Sequence, residues 1–293
     1  MTELLQQLLD GLSTGLVYGM LALALSVVFQ GTGMLNFSQG EMATLSAYAT
    51  LVLTQAGVGF WVALPLTVAL SAGGGALIER VLVRRLEGAG ELPLLTLSVA
   101  LLLGLNALMS IIWTTDPRTF PSPFGKGLIE FAGLHMTVQQ AGSLITLLAV
   151  MAATALLFNR TSVGLRLRAV AQNPASATLL GQHQGLWLMV GWAVAAAVGA
   201  FAAVVAAPVL TLSPGMMTFP LLLALAAGTL GGLSSRVGAV VGGILIGITD
   251  NLASRYVPGL DRDLAIIAPF ALTALVVMLR PAGLFGRTRT VRV

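Results

Sequence analysis

The sequence predicts an all-α polytopic membrane protein, and three observations carry that prediction. Only 9% of its 293 residues are charged against 57% hydrophobic, with a mean hydropathy of +0.93, whereas soluble domains carry about 25% charged residues. Charge-free runs cover 11–40, 42–78, 92–115, 131–159 and 169–235, most of them longer than the roughly 20 residues a helix needs to cross a bilayer. None of these runs shows the polar–apolar alternation of a membrane β-barrel strand. Helices are therefore the expected spanning elements, about eight to ten in number and nine at best count.

The first span is expected over 11–30, where Gly11, Gly15 and Gly19 share one helix face. The apolar run 42–78 is long enough for two short crossings. Gly57 and Gly59, followed by Trp61 at a membrane interface, divide it into spans 40–56 and 59–78. Segment 79–91 is a charged loop, and 92–113 is the fourth span. Pro117, Pro121, Pro123 and Gly125 make 114–137 an irregular loop with room for one short helix. Further spans are expected over 138–158, 186–208, 218–233, 237–255 and 264–280. Between the fifth and sixth lies 159–185, the longest connection on its side. No stretch is left for a soluble domain, so residues 1–293 form a single transmembrane domain.

Glycine is abundant, at 34 residues, and its spacing repeats. Gly228 and Gly232, Gly238 and Gly242, and Gly243 and Gly247 all lie four apart. Small residues at this spacing let helix backbones approach closely where lipid supplies no hydrophobic drive. Packing within one subunit and a seam between subunits both fit the pattern.

Charge fixes the orientation. Fourteen arginines and one lysine, Lys126, give a net charge of +4. They lie in short loops between apolar runs, as membrane orientation requires and nucleic-acid binding does not. With nine spans and the N-terminus outside, Arg80, Arg84, Arg85, Arg160, Arg166, Arg168, Arg236, Arg280, Arg287, Arg289 and Arg292 face the cytoplasm. Arg118, Lys126, Arg255 and Arg262 face outward, with Asp250, Asp261 and Asp263 close to two of them. The bias predicts a cytoplasmic C-terminus. Glu3 and Asp10, with no basic residues beside them, argue against a cleaved leader.

Several chemistries lack their residues. No cysteine is available for a disulfide or a thiolate metal site. No G-x-x-x-x-G-K-[ST] loop can cradle nucleotide phosphates. His135 and His183 stand without partners at metal-ligand spacing, and no nucleophile elbow occurs. Catalysis is not expected, and no cofactor is expected on this chain.

The polar cluster in "TGMLNFSQGEMATLSAY" (32–48) is the main functional candidate. Asn36, Ser38, Gln39 and Glu41, with Gly40 among them, fall between two apolar runs. Asn36 or Ser38 can cap a helix starting near Gly40, and Glu41 in its first turn suits the helix dipole. The same groups can line a translocation path, because polar side chains at membrane depth face the bundle interior. Either way the segment is a hinge between two spans. In 159–185, Pro174 ends a helix running from 164, and "ASATLLG" forms about two turns closed by Gly181. Arg166 and Arg168 precede it. This short cytoplasmic helix suits docking of a soluble partner or of anionic lipid, while the arginines alone also serve as an orientation anchor.

Three stretches together resemble a known family: "GLVYGMLALALSVVFQGTGMLNFSQGEMATLSAY" (15–48), "TSVGLRLRAVAQNPASATLLGQ" (161–182) and "GGLSSRVGAVVGGILIGITDN" (231–251). The chain resembles the branched-chain amino acid ABC transporter permeases, LivH branch, over essentially its whole length. The resemblance implies a multi-pass subunit of the bacterial inner membrane that provides the translocation path. It also implies partners: a second homologous permease subunit, two cytoplasmic ATP-binding subunits that hold the ATP, and a periplasmic solute-binding protein. By the same match, Gly164, Arg166, Arg168, Asn173, Pro174 and Gly181 in the cytoplasmic loop meet the ATPase. Family members often carry His where this chain has Gln39, a departure that removes a titratable group. Urea, short amides or other amino acids are alternative cargoes within the family. A stand-alone secondary transporter is the rival outside it, and would need paired ionisable groups in mid-membrane.

Overall fold

A computed structural model describes residues 2–86, 88–125, 127–131, 133–257 and 264–286. Its long helices follow the expected spans in order: α1 (Thr2–Thr32), α2 (Gln39–Gln55), α3 (Phe60–Val81), α4 (Glu91–Trp113) and α5 (Val138–Arg160). After α6 (Ser162–Gln172) and α7 (Pro174–Leu179) come α8 (Gln184–Leu210), α9 (Thr218–Gly231), α10 (Arg236–Tyr256) and α11 (Ile267–Leu279). Six of these, α1, α3, α4, α5, α8 and α10, are long and apolar enough to cross a membrane. At 17, 14 and 13 residues, α2, α9 and α11 are shorter.

α1 and α8 form the centre, with Leu16, Met20, Leu21, Leu25, Ala202, Ala203 and Val204 fully buried. α3, α4 and α5 are peripheral and turn Leu70, Leu103, Ile111 and Ile145 outward, as lipid-facing helices do. α1 packs most extensively on α10, and glycine is the reason. A Cβ placed on Gly11 would lie 2.7 Å from Ile248 Cα, and one on Gly15 would lie 2.8 Å from Ile244 Cα. Gly243 and Gly247 meet the Gly19 and Gly15 backbones in return. The fourfold glycine spacing is thus filled inside this one chain. Ser and Thr hydroxyls tie α2 to α3, through Ser46 Oγ to Ser71 Oγ and Thr50 Oγ1 to Thr67 Oγ1, both at 3.0 Å.

Two ends can be told apart. At one, the Gln6 side chain clips a hairpin by two bonds to the His135 backbone (2.8 and 2.9 Å), Arg255 pairs with Glu3, and Arg118 bridges to Leu212. At the other, Arg84 meets Glu79 at 2.8 Å and the Gly185 carbonyl, and Arg236 donates to Gln30 at 2.6 Å and lies over Phe158. The expected outward residues Lys126 and Arg262, their neighbours Asp261 and Asp263, and the expected inward residues Arg287, Arg289 and Arg292 lie outside the described residues.

The loop after α4 differs from expectation. Residues 114–137 hold no helix after the end of α4 among those described; they hold an antiparallel hairpin, β1 (Leu128–Phe131) and β2 (Leu134–Thr137). Gly133, at φ +79°, supplies a backbone conformation that side chains other than glycine resist. Four-residue strands are too short to show a period in the sequence.

Candidate functional site

α1 ends at Thr32, and the chain turns back into the bundle before α2 begins. Gln39 marks the depth: its Nε2 donates to the Ala195 carbonyl at 3.0 Å, near the midpoint of α8. α2 therefore starts inside the protein. α9 starts beside it, since a Cβ on Gly40 would lie 3.2 Å from the Met217 carbonyl oxygen and 3.3 Å from Leu221 Cβ. At 1.5 Å per residue these helices reach about 26 and 21 Å, against a hydrocarbon core of about 30 Å. Two helix N-termini thus meet in the interior, where their partial positive charges favour an anion.

Glu41 places a carboxyl group there. It is 2% exposed, and its Oε1 accepts from Asn106 Nδ2 of α4 at 3.2 Å and from Thr218 Oγ1 of α9 at 3.4 Å. The Gly215 backbone also lies against this carboxylate. Oε2 is buried and has no hydrogen-bond partner. Tyr48, seven residues on and on the same face of α2, is fully buried with its hydroxyl unpartnered, its ring stacked on Trp113 at 4.6 Å.

The other members of the cluster hold the turn. Asn36 Oδ1 accepts from Ser38 N (3.1 Å) and Ser38 Oγ (2.7 Å), and Asn36 Nδ2 reaches Gln39 Oε1 at 3.4 Å. All three side chains are buried. Ser38 stands at the N-cap of α2, yet neither it nor Asn36 makes a side-chain cap to the helix N–H groups. The capping expectation fails because the Ser38 hydroxyl is turned to Asn36. Glu41 lies in the first turn, as expected.

The second candidate segment folds as two short helices. Thr161 Oγ1 accepts from Gly164 N at 3.2 Å, and Gly164 sits against the Leu157 carbonyl and Phe158, where a Cβ would not fit. Arg166 lies 5.5 Å over the Trp187 ring, and Arg168 Nε reaches the Gly164 carbonyl at 3.3 Å. Asn173 caps α7 by accepting from Ser176 N at 3.0 Å, with Pro174 opening the helix. Gly181, at φ +77°, ends the turn after α7, and Gln182 N closes it onto the Ala177 carbonyl at 3.0 Å. Val170, Ala177 and Trp187 form a small separate core joining α6, α7 and α8. Leu179 and Leu180 project from it, 89% and 80% exposed.

α8 meets both candidate segments, at Ala195 for the one and Trp187 for the other. Sequence reasoning missed Asn106, Thr218 and Tyr48, along with Leu179 and Leu180. Asn106 carried a signal, an amide inside the charge-free run 92–115. Thr218 and Tyr48 carried none, because hydroxyl-bearing residues are common in such helices.

The chain matches the family model described as "Branched-chain amino acid transport system / permease component" over residues 7–279. It is 27% identical to the high-affinity branched-chain amino acid transport system permease protein BraD of Pseudomonas aeruginosa, covering 99% of this chain and 98% of that one. It is 28% identical to the corresponding permease protein LivH of Escherichia coli, over 99% and 97% of the two chains. Among solved structures, PsaBC from Streptococcus pneumoniae in complex with Fab aligns with a TM-score of 0.48 at 11% identity, over 92% of this chain and 89% of that one.

Proposed function

This chain belongs to the branched-chain amino acid transport system permease family, and on that premise we propose that it is the membrane-spanning half of an ATP-binding cassette importer for branched-chain amino acids. The whole-length family match is the observation that carries the proposal. In this reading the chain lies in a bacterial inner membrane with its N-terminus outside and its C-terminus cytoplasmic. It pairs with a second, homologous permease subunit, receives cargo from a periplasmic solute-binding protein and is moved by two cytoplasmic ATP-binding subunits.

The joint of α2 and α9 is the proposed translocation gate. An amino acid carries two charges and cannot cross lipid unaided; helix ends and polar groups inside the bundle replace its hydration. The joint provides both, and Gly40 lets the two first turns close on each other. α7 is the proposed coupling element, because two leucines exposed beside a basic end suit a protein surface better than water. Arg166, exposed and lying over Trp187, and Arg168, bonded to its own helix, supply the basic edge of that surface.

Purification through this chain tests the proposal. ATP-binding subunits are expected to come down with it, and leucine uptake by the reconstituted assembly is expected to stop when ATP is depleted. Concentrative uptake by this chain alone would refute it.

A further inference from the structure

Two carboxylates among the described residues are buried, and they differ. Glu79, fully buried, meets the Arg84 guanidinium at 2.8 Å. Glu41 has no cationic side chain within ion-pair distance among the described residues. Its Oε1 is occupied by Asn106 and Thr218, and its Oε2 is buried with nothing bonded to it. A carboxylate oxygen in such a place is costly unless a partner comes to it. The neighbouring polar groups cannot be that partner, because Asn36, Ser38 and Gln39 are engaged with one another and with α8. One further unpartnered polar atom shares the face of α2, the Tyr48 hydroxyl two turns along the helix.

We infer that Glu41 Oε2 receives the ammonium group of the amino acid in transit, with the Tyr48 hydroxyl as a second acceptor on the way to it. The inference rests on the importer reading above and deepens it by naming the part of the cargo that this chain recognises. An ammonium group brings a positive charge and three N–H donors, which a lone carboxylate oxygen and the oxygen of a phenol can accept. The cargo's own carboxylate would be repelled by Glu41. Urea and short amides can donate N–H bonds to this carboxylate but bring no charge to neutralise it, so the site favours amino acids among the cargoes considered.

The test is ATP-driven uptake of labelled L-leucine by the complete assembly in sealed vesicles, wild type against E41Q. Glutamine keeps an Oε1 acceptor for Asn106 and Thr218 while removing the charge. The assembled variant is expected to lose uptake roughly tenfold or more, the worth of one hydrogen bond to a charged group. Uptake by E41Q equal to wild type would overturn the ammonium site and leave the importer reading standing; absence of ATP-driven uptake in the wild type would overturn both. If E41Q does not assemble, the wild type decides through labelling of Glu41 by dicyclohexylcarbodiimide during turnover, read by mass spectrometry. Leucine is expected to slow the labelling, whereas isocaproate, the same skeleton without the ammonium, is not. Equal labelling with the two compounds would overturn the inference.

Discussion

Asn36 does more for the turn before α2 than its size suggests. Its side-chain oxygen accepts two hydrogen bonds from Ser38, and all of the atoms involved are buried. Removing it leaves the Ser38 N–H unpaired and the Ser38 hydroxyl with only the Met42 sulfur, 3.7 Å away, at about 1–3 kcal/mol for each buried group. Asn36→Ala is therefore expected to lower stability by roughly 2–3 kcal/mol. Gln39→Ala is expected to cost less, about 1 kcal/mol, since the Ala195 carbonyl it leaves also belongs to the backbone ladder of α8. Thermal unfolding of the purified chain in detergent should rank Asn36→Ala below Gln39→Ala; the reverse order would mean that the tie to α8 matters more than the turn. Residues 36–41 were legible as special because polar side chains are rare in this sequence. Which of them holds the turn and which is left open was not, because Glu41 is defined by Asn106 and Thr218, 65 and 177 residues away.

The helices themselves were nearly all readable. Apolar runs that start just after a charged residue gave 92–113 where α4 runs Glu91–Trp113, and 237–255 where α10 runs Arg236–Tyr256. What the runs could not show was depth, since a helix that begins inside the bundle has the same composition as one that begins at its surface. Nor could they show which glycines are tight. The Gly73–Gly74–Gly75 run in α3 separates spacing from packing: Gly73 and Gly74 have open space where a Cβ would go, while at Gly75 it would lie 2.7 Å from both Ala196 Cβ and the Trp192 carbonyl oxygen. Gly75→Ala is expected to destabilise by about 1–3 kcal/mol through overpacking of α3 on α8. Gly73→Ala is expected to be neutral or to stabilise by up to about 1 kcal/mol, from helix propensity alone. Opposite shifts in melting temperature check the pair; a large loss in both would mean that Gly73 is covered by another subunit.

Across the whole molecule, the exposed helix α7 and the buried joint are linked by one continuous element. α7 is held to α8 by the Val170, Ala177 and Trp187 core and by the bond from Trp187 Nε1 to Gln182 Oε1 at 3.1 Å. α8 then runs unbroken to the Ala195 carbonyl, where Gln39 fixes the start of α2. A push on α7 can therefore reach the α2–α9 joint as a rigid-body shift of α8, without a chain of loose contacts between them. The grip for that push is Leu179 and Leu180, which touch little of their own chain. Replacing both with Asp is expected to leave the stability of the isolated chain within about 0.5 kcal/mol of wild type, because exposed positions contribute little to folding. The same change places two charges in an apolar contact, so co-purification of ATP-binding subunits should fail and ATP-driven uptake with it. Retained binding with lost uptake would locate the docking surface elsewhere and leave α7 as a transmitter. Retained binding and uptake together would remove α7 from the coupling route.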